Sequence, residues 1–172
     1  MRRKISTLLV ISAVILSALM MPTVLAIKPI PASGTWDWYA PSSTFTVKKI
    51  VGGNMFIHAY DNAIFTGTFE GTGTDEFTMT VHDYASETGY ATGNGRTHFI
   101  GTVDGKTGTL DIMWVGNTKN EWGYWWFKWI IIRGTGELAN LRGQGTSWGP
   151  GPPGTDAWGG VDYTGKIHFD PS

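Results

Sequence analysis

The stretch that decides the fold is Trp122-Gly-Tyr-Trp-Trp-Phe-Lys-Trp-Ile-Ile-Ile132, which contains four of the nine tryptophans. β-branched and aromatic residues dominate it, and glycines follow directly after Arg133, so the pattern predicts one long strand. Successive strand residues point to opposite faces, and here both faces are largely apolar. Such a strand must be covered on both sides, or one side must line a cavity.

The chain around this stretch consists of short β-favouring runs separated by glycine-rich turns, without an apolar pattern at helical spacing. About nine strands are predicted, and strands at such regular intervals are typical of a sandwich or a closed barrel. Asp104-Gly105 between two alternating runs predicts a tight hairpin. Asp61-Asn62 and Gly71-Thr-Gly73 are expected to be turns, and the polar segment 85–95 is expected to be a longer loop.

The first 26 residues have the organisation of a secretory signal. Met1-Arg-Arg-Lys4 is basic, an apolar run follows it, and small residues precede an expected cleavage after Ala26. The alternative is an uncleaved membrane anchor, because a bilayer needs roughly 20 apolar residues. We therefore expect a signal peptide at 1–26, a proline-containing leader at 27–33 and one secreted domain at 34–170.

Charge and cysteine content argue against several classes of function. The formal charge of −1 becomes −4 when cleavage removes Arg2, Arg3 and Lys4. A mildly acidic surface without a basic block argues against nucleic acid as a partner. No cysteine is present, so neither a disulfide framework nor thiolate chemistry is available. Aromatic residues form 13% of the chain and can supply the core packing that an exported protein without disulfides needs.

Two later segments carry glycine-rich motifs, Gly101-Thr-Val-Asp-Gly-Lys-Thr-Gly-Thr-Leu110 and the more specific Gly134-Thr-Gly-Glu-Leu-Ala-Asn-Leu-Arg-Gly-Gln-Gly145. Together they resemble a family of small bacterial and archaeal proteins of unknown function. The resemblance extends from about Ser33 to Phe169. It implies a single antiparallel, calycin-like β-barrel of about eight strands, similar to allene oxide cyclases, in which Leu138 and Leu141 plug one end. It carries very little about function and implies no cofactor, because the motif residues look structural.

Polar residues offer no clear catalytic centre. Asp75 and Glu76 are expected to be solvated at the start of a strand. Glu121 is a weak candidate for a catalytic acid, because a carboxylate beside aromatic rings can lose solvent and gain a raised pKa. No metal site is expected, because a recognised ligand spacing is missing among His58, His82, His98 and His168.

One nucleophile pattern matches by letters alone. Gly145-Thr-Ser-Trp-Gly149 reads Gly-x-Ser-x-Gly, and Asp156 or Asp162 and then His168 follow in hydrolase order. That pattern works where a strand turns sharply into a helix. Prolines at 150, 152 and 153 prevent a helix from starting there. A serine hydrolase is therefore not expected.

The aromatic residues give the strongest indication of function. The candidate ligand-binding residues, expected to line the barrel interior, are Trp114, Trp125, Phe127 and Trp129. An eight-stranded barrel has room either for packed side chains or for one small ligand, and both possibilities stay open. The leading hypothesis is non-catalytic binding of a small apolar or aromatic ligand in the barrel mouth.

Two other hypotheses stay open, so the sequence does not decide whether the protein is an enzyme. One is an isomerase or cyclase that acts on an unsaturated lipid-like substrate through Glu121. The other is a structural or surface-interaction module, with the outward-facing aromatic residues at a contact between copies of the chain.

Overall fold

The computed structural model describes residues 28–39, 42–86, 89–118, 124–150 and 158–171. The expected signal peptide lies outside these ranges, and β1 begins inside the expected leader. No helix within the described ranges is long and apolar enough to cross a membrane. The strands are β1 (Ile30–Tyr39), β2 (Thr44–Val51), β3 (Asn54–Gly67), β4 (Phe69–His82), β5 (Tyr90–Val103), β6 (Lys106–Asn117), β7 (Tyr124–Gly136), β8 (Leu141–Pro150) and β9 (Trp158–Phe169).

Eight of these strands close into a barrel, and β2 lies outside the closure. The sheet runs in the order β1-β9-β8-β7-β6-β5-β4-β3-β2, and β1 also pairs with β3. β3 is long enough to pair with both β1 and β2. Its second half, from Ala63 to Gly67, pairs with β1, whereas its first half, from Asn54 to Tyr60, pairs with β2. The predicted all-β antiparallel barrel of about eight strands is confirmed.

The tryptophan-rich stretch forms β7 and alternates as predicted. Phe127, Trp129 and Ile131 point inward and are buried, and Trp125 is partly buried on the same face. The intervening residues form an exposed outer face, with Trp126 37% and Ile130 46% exposed. Both faces are therefore apolar, and the inner one is covered by the barrel core. Contact between copies through the outer face stays a prediction.

The barrel end that contains the β3–β4, β5–β6 and β7–β8 turns is closed, and we call it the closed end. Leu138 in the β7–β8 turn and Leu141 at the start of β8 are both 0% exposed. Backbone hydrogen bonds from Leu138 N to Thr135 O (3.1 Å) and from Leu141 N to Leu138 O (3.0 Å) fold this turn inward. The two leucines thus plug this end, as the family resemblance implies.

Glycines on the inner face make room for tryptophan rings. A Cβ on Gly145 would lie 2.4 Å from Cζ2 of Trp129. A Cβ on Gly95 would lie 2.7 Å from Cζ2 of Trp114. Side-chain atoms do not fit at such distances, so each indole lies directly against the backbone of a neighbouring strand.

Three predicted connections are in fact strand. Asp61-Asn62 lies in the middle of β3, because pairing along the whole hairpin outweighs the turn preference of Asp-Asn. Gly71 and Gly73 lie within β4, and the chain reverses at Gly67, where φ is +89°. The expected loop over 85–95 is strand from Tyr90 onward. The predicted Asp104-Gly105 hairpin turn is confirmed, with φ values of 51° and 75°.

Candidate functional site at the mouth of the barrel

We call the end opposite the closed end the mouth. It is formed by the starts of β3, β5 and β7 and by the ends of β4 and β6. Inward-facing residues there keep some exposure, with 8% for Ile57, 7% for Trp114 and 9% for Phe127. Trp38 and Phe77 are only partly buried although they pack against the core. Apolar side chains therefore reach solvent from inside the barrel.

One side of the mouth extends beyond the closed barrel, and we call it the β2 wall. It consists of β2, the first half of β3 and the second half of β4. Its buried residues form a separate apolar cluster, with Met55, Phe77 and Met79 packed against it. The members of this cluster are Ile57, Ala59 and Val81.

Strand β2 adds exposed apolar side chains to the inner face of this wall. Directly opposite residues in paired strands share a face. Phe45 is opposite Ala59, and Val47 is opposite Ile57. Phe45 is 54% exposed and Val47 is 51% exposed. The Phe45 ring also meets the ring of Phe77 edge-on, at 6.3 Å between centroids.

The other side of the mouth is aromatic. Trp125 and Phe127 stack with ring centroids 5.4 Å apart and planes 4° apart. Phe127 meets Trp114 edge-on at 5.2 Å, and Trp114 meets Trp36 edge-on at 6.1 Å. Three of the predicted ligand-binding residues, Trp114, Trp125 and Phe127, therefore lie together at the mouth.

Trp129, the fourth predicted ligand-binding residue, lies deeper and packs in the core. Its ring contacts Phe69 at 5.8 Å and Tyr163 at 6.3 Å. The cavity between these rings has a volume of about 10 Å³, which is enough for about one water molecule. Among the described residues, the centre of the barrel is thus filled and leaves no room for a ligand of several atoms.

Two carboxyl groups lie beneath the mouth, on the inner face. Asp61 and Asp75 are directly opposite one another on β3 and β4, and they are 7% and 3% exposed. Thr97 Oγ1 donates a hydrogen bond to Asp75 Oδ1, and the indole Nε1 of Trp114 lies 3.4 Å from the same oxygen. Asp61 Oδ1 and Trp36 Nε1 are buried without a hydrogen-bond partner among the described residues.

Burial raises the pKa of both carboxyls. The pKa of Asp61 rises to about 9 through loss of solvent and then through the charge of Asp75. The pKa of Asp75 rises to about 6, because burial outweighs nearby donors such as Thr97 that stabilise its charge. Two carboxyls this close do not both ionise readily, so at neutral pH the pair retains one proton, on Asp61.

The expectation that Asp75 is solvated is wrong, and the importance of Asp61 was missed. Both errors arise from placing turns at Asp61-Asn62 and Gly71-Thr-Gly73. The signal that would have found the pair is alternation, because Ile57, Ala59, Asp61, Ala63 and Phe65 occupy every second position of one strand. Continuing that pattern through Asp61 places its carboxyl inside the barrel.

The remaining sequence candidates do not form a catalytic site. Glu121 lies outside the described residues, as does Asp156. Ser147 is buried at mid-strand in β8 rather than at a strand-to-helix elbow, and Asp162 is exposed on β9. Within the described residues, no three His, Asp or Glu side chains are grouped to hold a metal ion.

Asp111 forms a second acidic cluster, on the outer surface at a β-bulge in β6. Its oxygens accept hydrogen bonds from Arg133 Nε at 2.5 Å and from His98 Nδ1 at 3.0 Å. Burial acts to raise the pKa of Asp111, but these two hydrogen bonds and the charge of Arg133 outweigh burial and lower it. This cluster is an ion-pair network with all its partners present, unlike the pair under the mouth.

A family model described as "Protein of unknown function (DUF3224)" matches residues 40–148. The chain belongs to this family. The matched range contains both the Gly101 hairpin and the motif from Gly134 to Gly145, so the family resemblance stated from those segments is confirmed. No curated protein matches this DUF3224 chain.

Two solved structures are similar to this DUF3224 protein. One is a protein of unknown function from the DUF3224 family of Shewanella oneidensis MR-1, with a TM-score of 0.61, 16% identity, and coverage of 84% of this chain and 100% of that chain. The other is the pterocarpan synthase dirigent protein GePTS1, with a TM-score of 0.50, 17% identity, and coverage of 88% and 98%. At these identities the similarity shows the fold alone, which is the expected allene-oxide-cyclase-like barrel.

Proposed function

We propose that this DUF3224 protein binds a small apolar or aromatic ligand at the mouth of its barrel, without catalysis. The observation that carries the proposal is the half-exposed apolar lining of the β2 wall, opposite the aromatic residues Trp125 and Phe127. Phe45, Val47 and Ile50 are 54%, 51% and 52% exposed, respectively. Ligand sites are typically concave and mostly apolar, with a few polar groups that fix orientation.

The two sides of the mouth differ in a way that suits such a ligand. The β2 wall offers aliphatic side chains on a strand that has one free edge, whereas the opposite side offers stacked rings held by the core. A ligand between them would remove the exposed apolar surface from water, at about 25 cal/mol per Å². The filled centre supports a ligand of modest size that stays at the mouth.

Binding is tested with N-phenyl-1-naphthylamine, an uncharged apolar dye whose fluorescence rises on leaving water. We expect saturable binding, and we expect Val47→Ser to weaken it about fivefold, because a serine loses about 1 kcal/mol of apolar contact. Val51→Ser is the matched control, because Val51 lies on the same strand and is 56% exposed but occupies the opposite face. The proposal is wrong if no saturable binding occurs, or if both substitutions weaken it equally.

We also propose that the protein acts outside the cytoplasm. The basic start, the apolar run and the small residues before Ala26 support this location. N-terminal sequencing of the protein recovered from its native cells tests it. A chain that begins at Ile27 is the expected result, and an intact Met1 in a membrane fraction would instead indicate an anchor.

A further inference from the structure

We propose that a groove on the outer face of the barrel binds a single-chain anionic amphiphile, a molecule with one apolar chain and one negatively charged head group. This groove crosses β6, β7, β8 and β9 and has a volume of about 770 Å³. We call it the outer groove, and it extends from Met113 on β6 to Lys166 on β9. The mouth is lined by the inner face of the sheet, so the inference does not depend on the proposed function.

The side of the outer groove toward β6 is aliphatic. Met113 on β6 is directly opposite Ile130 on β7, and Val115 lies two residues further along β6 on the same face. These side chains are 44%, 46% and 53% exposed, respectively. Exposed apolar side chains that are grouped in one groove, rather than scattered singly, are typical of an interaction site. An alkyl chain bound there removes this apolar surface from water.

The side of the outer groove toward β9 is polar and positively charged. Thr146 and Gln144 on β8 are directly opposite Lys128 and Ile130 on β7, and Gln144 is directly opposite Lys166 on β9. The two lysines therefore lie on either side of β8, with Cα atoms roughly 12 Å apart at ordinary strand spacing. A head group above Gln144 and Thr146 lies between two ammonium groups, and both β8 side chains can donate a hydrogen bond to it.

Charge favours a negatively charged head group. Within the described residues, neither Lys128 nor Lys166 forms an ion pair. In the part of the chain that the structure describes, none of the side chains that line the outer groove is acidic. Asp162 lies further along β9 and lines a separate depression, and Asp111 is bound by its own basic partners. Two ammonium groups without counterions attract an anion, and their hydrogen bonds to a charged oxygen are strong.

The division of the outer groove into two sides selects an amphiphile. A small anion such as acetate leaves the aliphatic side chains exposed. An uncharged apolar molecule gains nothing from the two lysines, and a molecule with a cationic head group is repelled by them. An anionic amphiphile satisfies both sides, with its head group above β8 and its chain across Ile130, Met113 and Val115.

The floor of the outer groove is supported from inside the barrel. Gly145 on β8 is directly opposite Gly165 on β9, and both line the groove. A Cβ on Gly145 or Gly165 would lie 2.4 or 2.5 Å, respectively, from Cζ2 of Trp129, so the indole packs directly against the backbone of both strands. Because a packed core side chain holds the floor in place, binding requires little additional ordering of the protein.

Calorimetric titration of the purified protein with sodium dodecanoate and with dodecyltrimethylammonium bromide, both below micelle formation, tests the inference. These probes have similar chains and head groups of opposite charge. We expect dodecanoate to bind about tenfold more tightly, because the head-group charge reverses the sign of its interaction with both lysines. Lys128→Gln and Lys166→Gln should each weaken dodecanoate binding about threefold. Ile130→Ser should weaken it about fivefold through lost apolar contact.

Lys48→Gln is the matched control for the loss of one positive charge. Lys48 is exposed on β2 and lies outside the outer groove, so we expect dodecanoate binding to be unchanged. Equal weakening by Lys48→Gln, or equal affinity for the two probes, would show that Lys128 and Lys166 do not recognise the head group, and the inference would be wrong. A β-sheet circular dichroism spectrum for each variant excludes misfolding as the cause.

The remaining outcomes assign the ligand or the outer face differently. If Val47→Ser weakens dodecanoate binding and Ile130→Ser does not, the chain lies in the mouth and the outer groove is not a site. The inference is also wrong if neither probe binds. Self-association in light scattering would then assign the outer face to a second copy, and binding to phosphatidylglycerol vesicles would assign it to a membrane surface. Binding of N-phenyl-1-naphthylamine that Val47→Ser weakens supports the mouth independently of each of these results.

Discussion

The strands at both ends of this barrel follow the same alternating pattern of side chains. The closed end is nevertheless packed core, whereas the mouth is the candidate ligand-binding site. At the closed end the inward side chains are apolar and 0% exposed, as in Leu110, Leu141 and Ile167. At the mouth the inward side chains include half-exposed aliphatic residues, partly exposed aromatic rings and two carboxyls. Alternation therefore specifies the inner face of a strand, but the position along the barrel axis decides whether that face becomes core.

Strand pairing explains the difference between the ends. At the closed end, the β7–β8 turn folds Leu138 inward. At the mouth, β1 pairs only with the second half of β3, so the first half of β3 pairs with β2 instead. Since β2 lies outside the closure, the apolar side chains on its inner face stay half exposed, as in Phe45 and Val47. The mouth is thus a consequence of how β3 is divided between two neighbours.

The largest effect on stability is expected from replacing isoleucine by alanine, and the same replacement can be compared at the two ends of the barrel. Ile167→Ala at the closed end should lower the free energy of unfolding by about 4 kcal/mol, because it leaves a cavity in a fully packed region. Ile57→Ala at the mouth should lower it by about 2 kcal/mol, because Ile57 is 8% exposed and its surroundings can relax or admit water. Urea unfolding of the two variants measures both values. Equal losses would show that the mouth is packed as tightly as the closed end.

The second prediction concerns pH and the acid pair. The pKa of Asp61 is higher in the folded state than in the unfolded chain, so the folded protein holds a proton that the unfolded chain has released. Stability should therefore fall as pH rises from 7 to 9, with a slope approaching about 1.4 kcal/mol per pH unit for one proton. Urea unfolding at pH 7, 8 and 9 measures this slope.

Asp61→Asn is the control for the pH dependence, because the amide cannot release a proton. Its stability should be nearly constant over the same range. Glu76 and Asp111 have lowered pKa values and titrate in acid, and the raised pKa values of Tyr60 and Tyr163 lie above the range. An unchanged slope in Asp61→Asn would assign the effect to other groups.

Much of the fold was readable from the sequence because it depends on local pattern. The long apolar strand from Tyr124, the Asp104-Gly105 hairpin and the leucine plug at Leu138 and Leu141 were each predictable. In each case, side-chain alternation, turn chemistry or family resemblance agrees with the tertiary structure. Where local preferences and the tertiary structure agree in this way, the structure can be predicted from the sequence.

The site was readable only in part, because it depends on pairing between distant residues. Trp114 and Phe127 were expected on the inner face, but nothing in the local pattern distinguishes rings at the mouth from rings in the core, such as Trp129. Asp61 and Asp75 were misplaced because Asp-Asn and Gly-Thr-Gly favour turns locally. Only the β3–β4 register, which a single sequence does not reveal, brings these two carboxyls together.

The smallest expected effect concerns Asp111 on the outer surface, whose ion-pair partners are present, in contrast to the pair of Asp61 and Asp75 at the mouth. Arg133→Gln should lower the free energy of unfolding at pH 7 by about 1 kcal/mol, because Asp111 keeps His98 while losing its charged partner. The folded-state pKa of Asp111 is lowered, so this contribution exists above the unfolded pKa and disappears as pH falls. The pH trend is therefore opposite to that of Asp61.

Arg142→Gln is the matched control for this comparison, because Arg142 pairs at 3.1 Å with Asp170, whose side chain is 39% exposed. That solvated pair should contribute less than about 0.5 kcal/mol. Urea unfolding of both variants at pH 7 and pH 3 separates the two cases. If Arg133→Gln lowers the free energy of unfolding no more than Arg142→Gln does, burial of Asp111 does not strengthen its ion pair. The difference between the two acidic sites would then lie in the missing partners at the mouth, and not in the dielectric surroundings of the carboxyls.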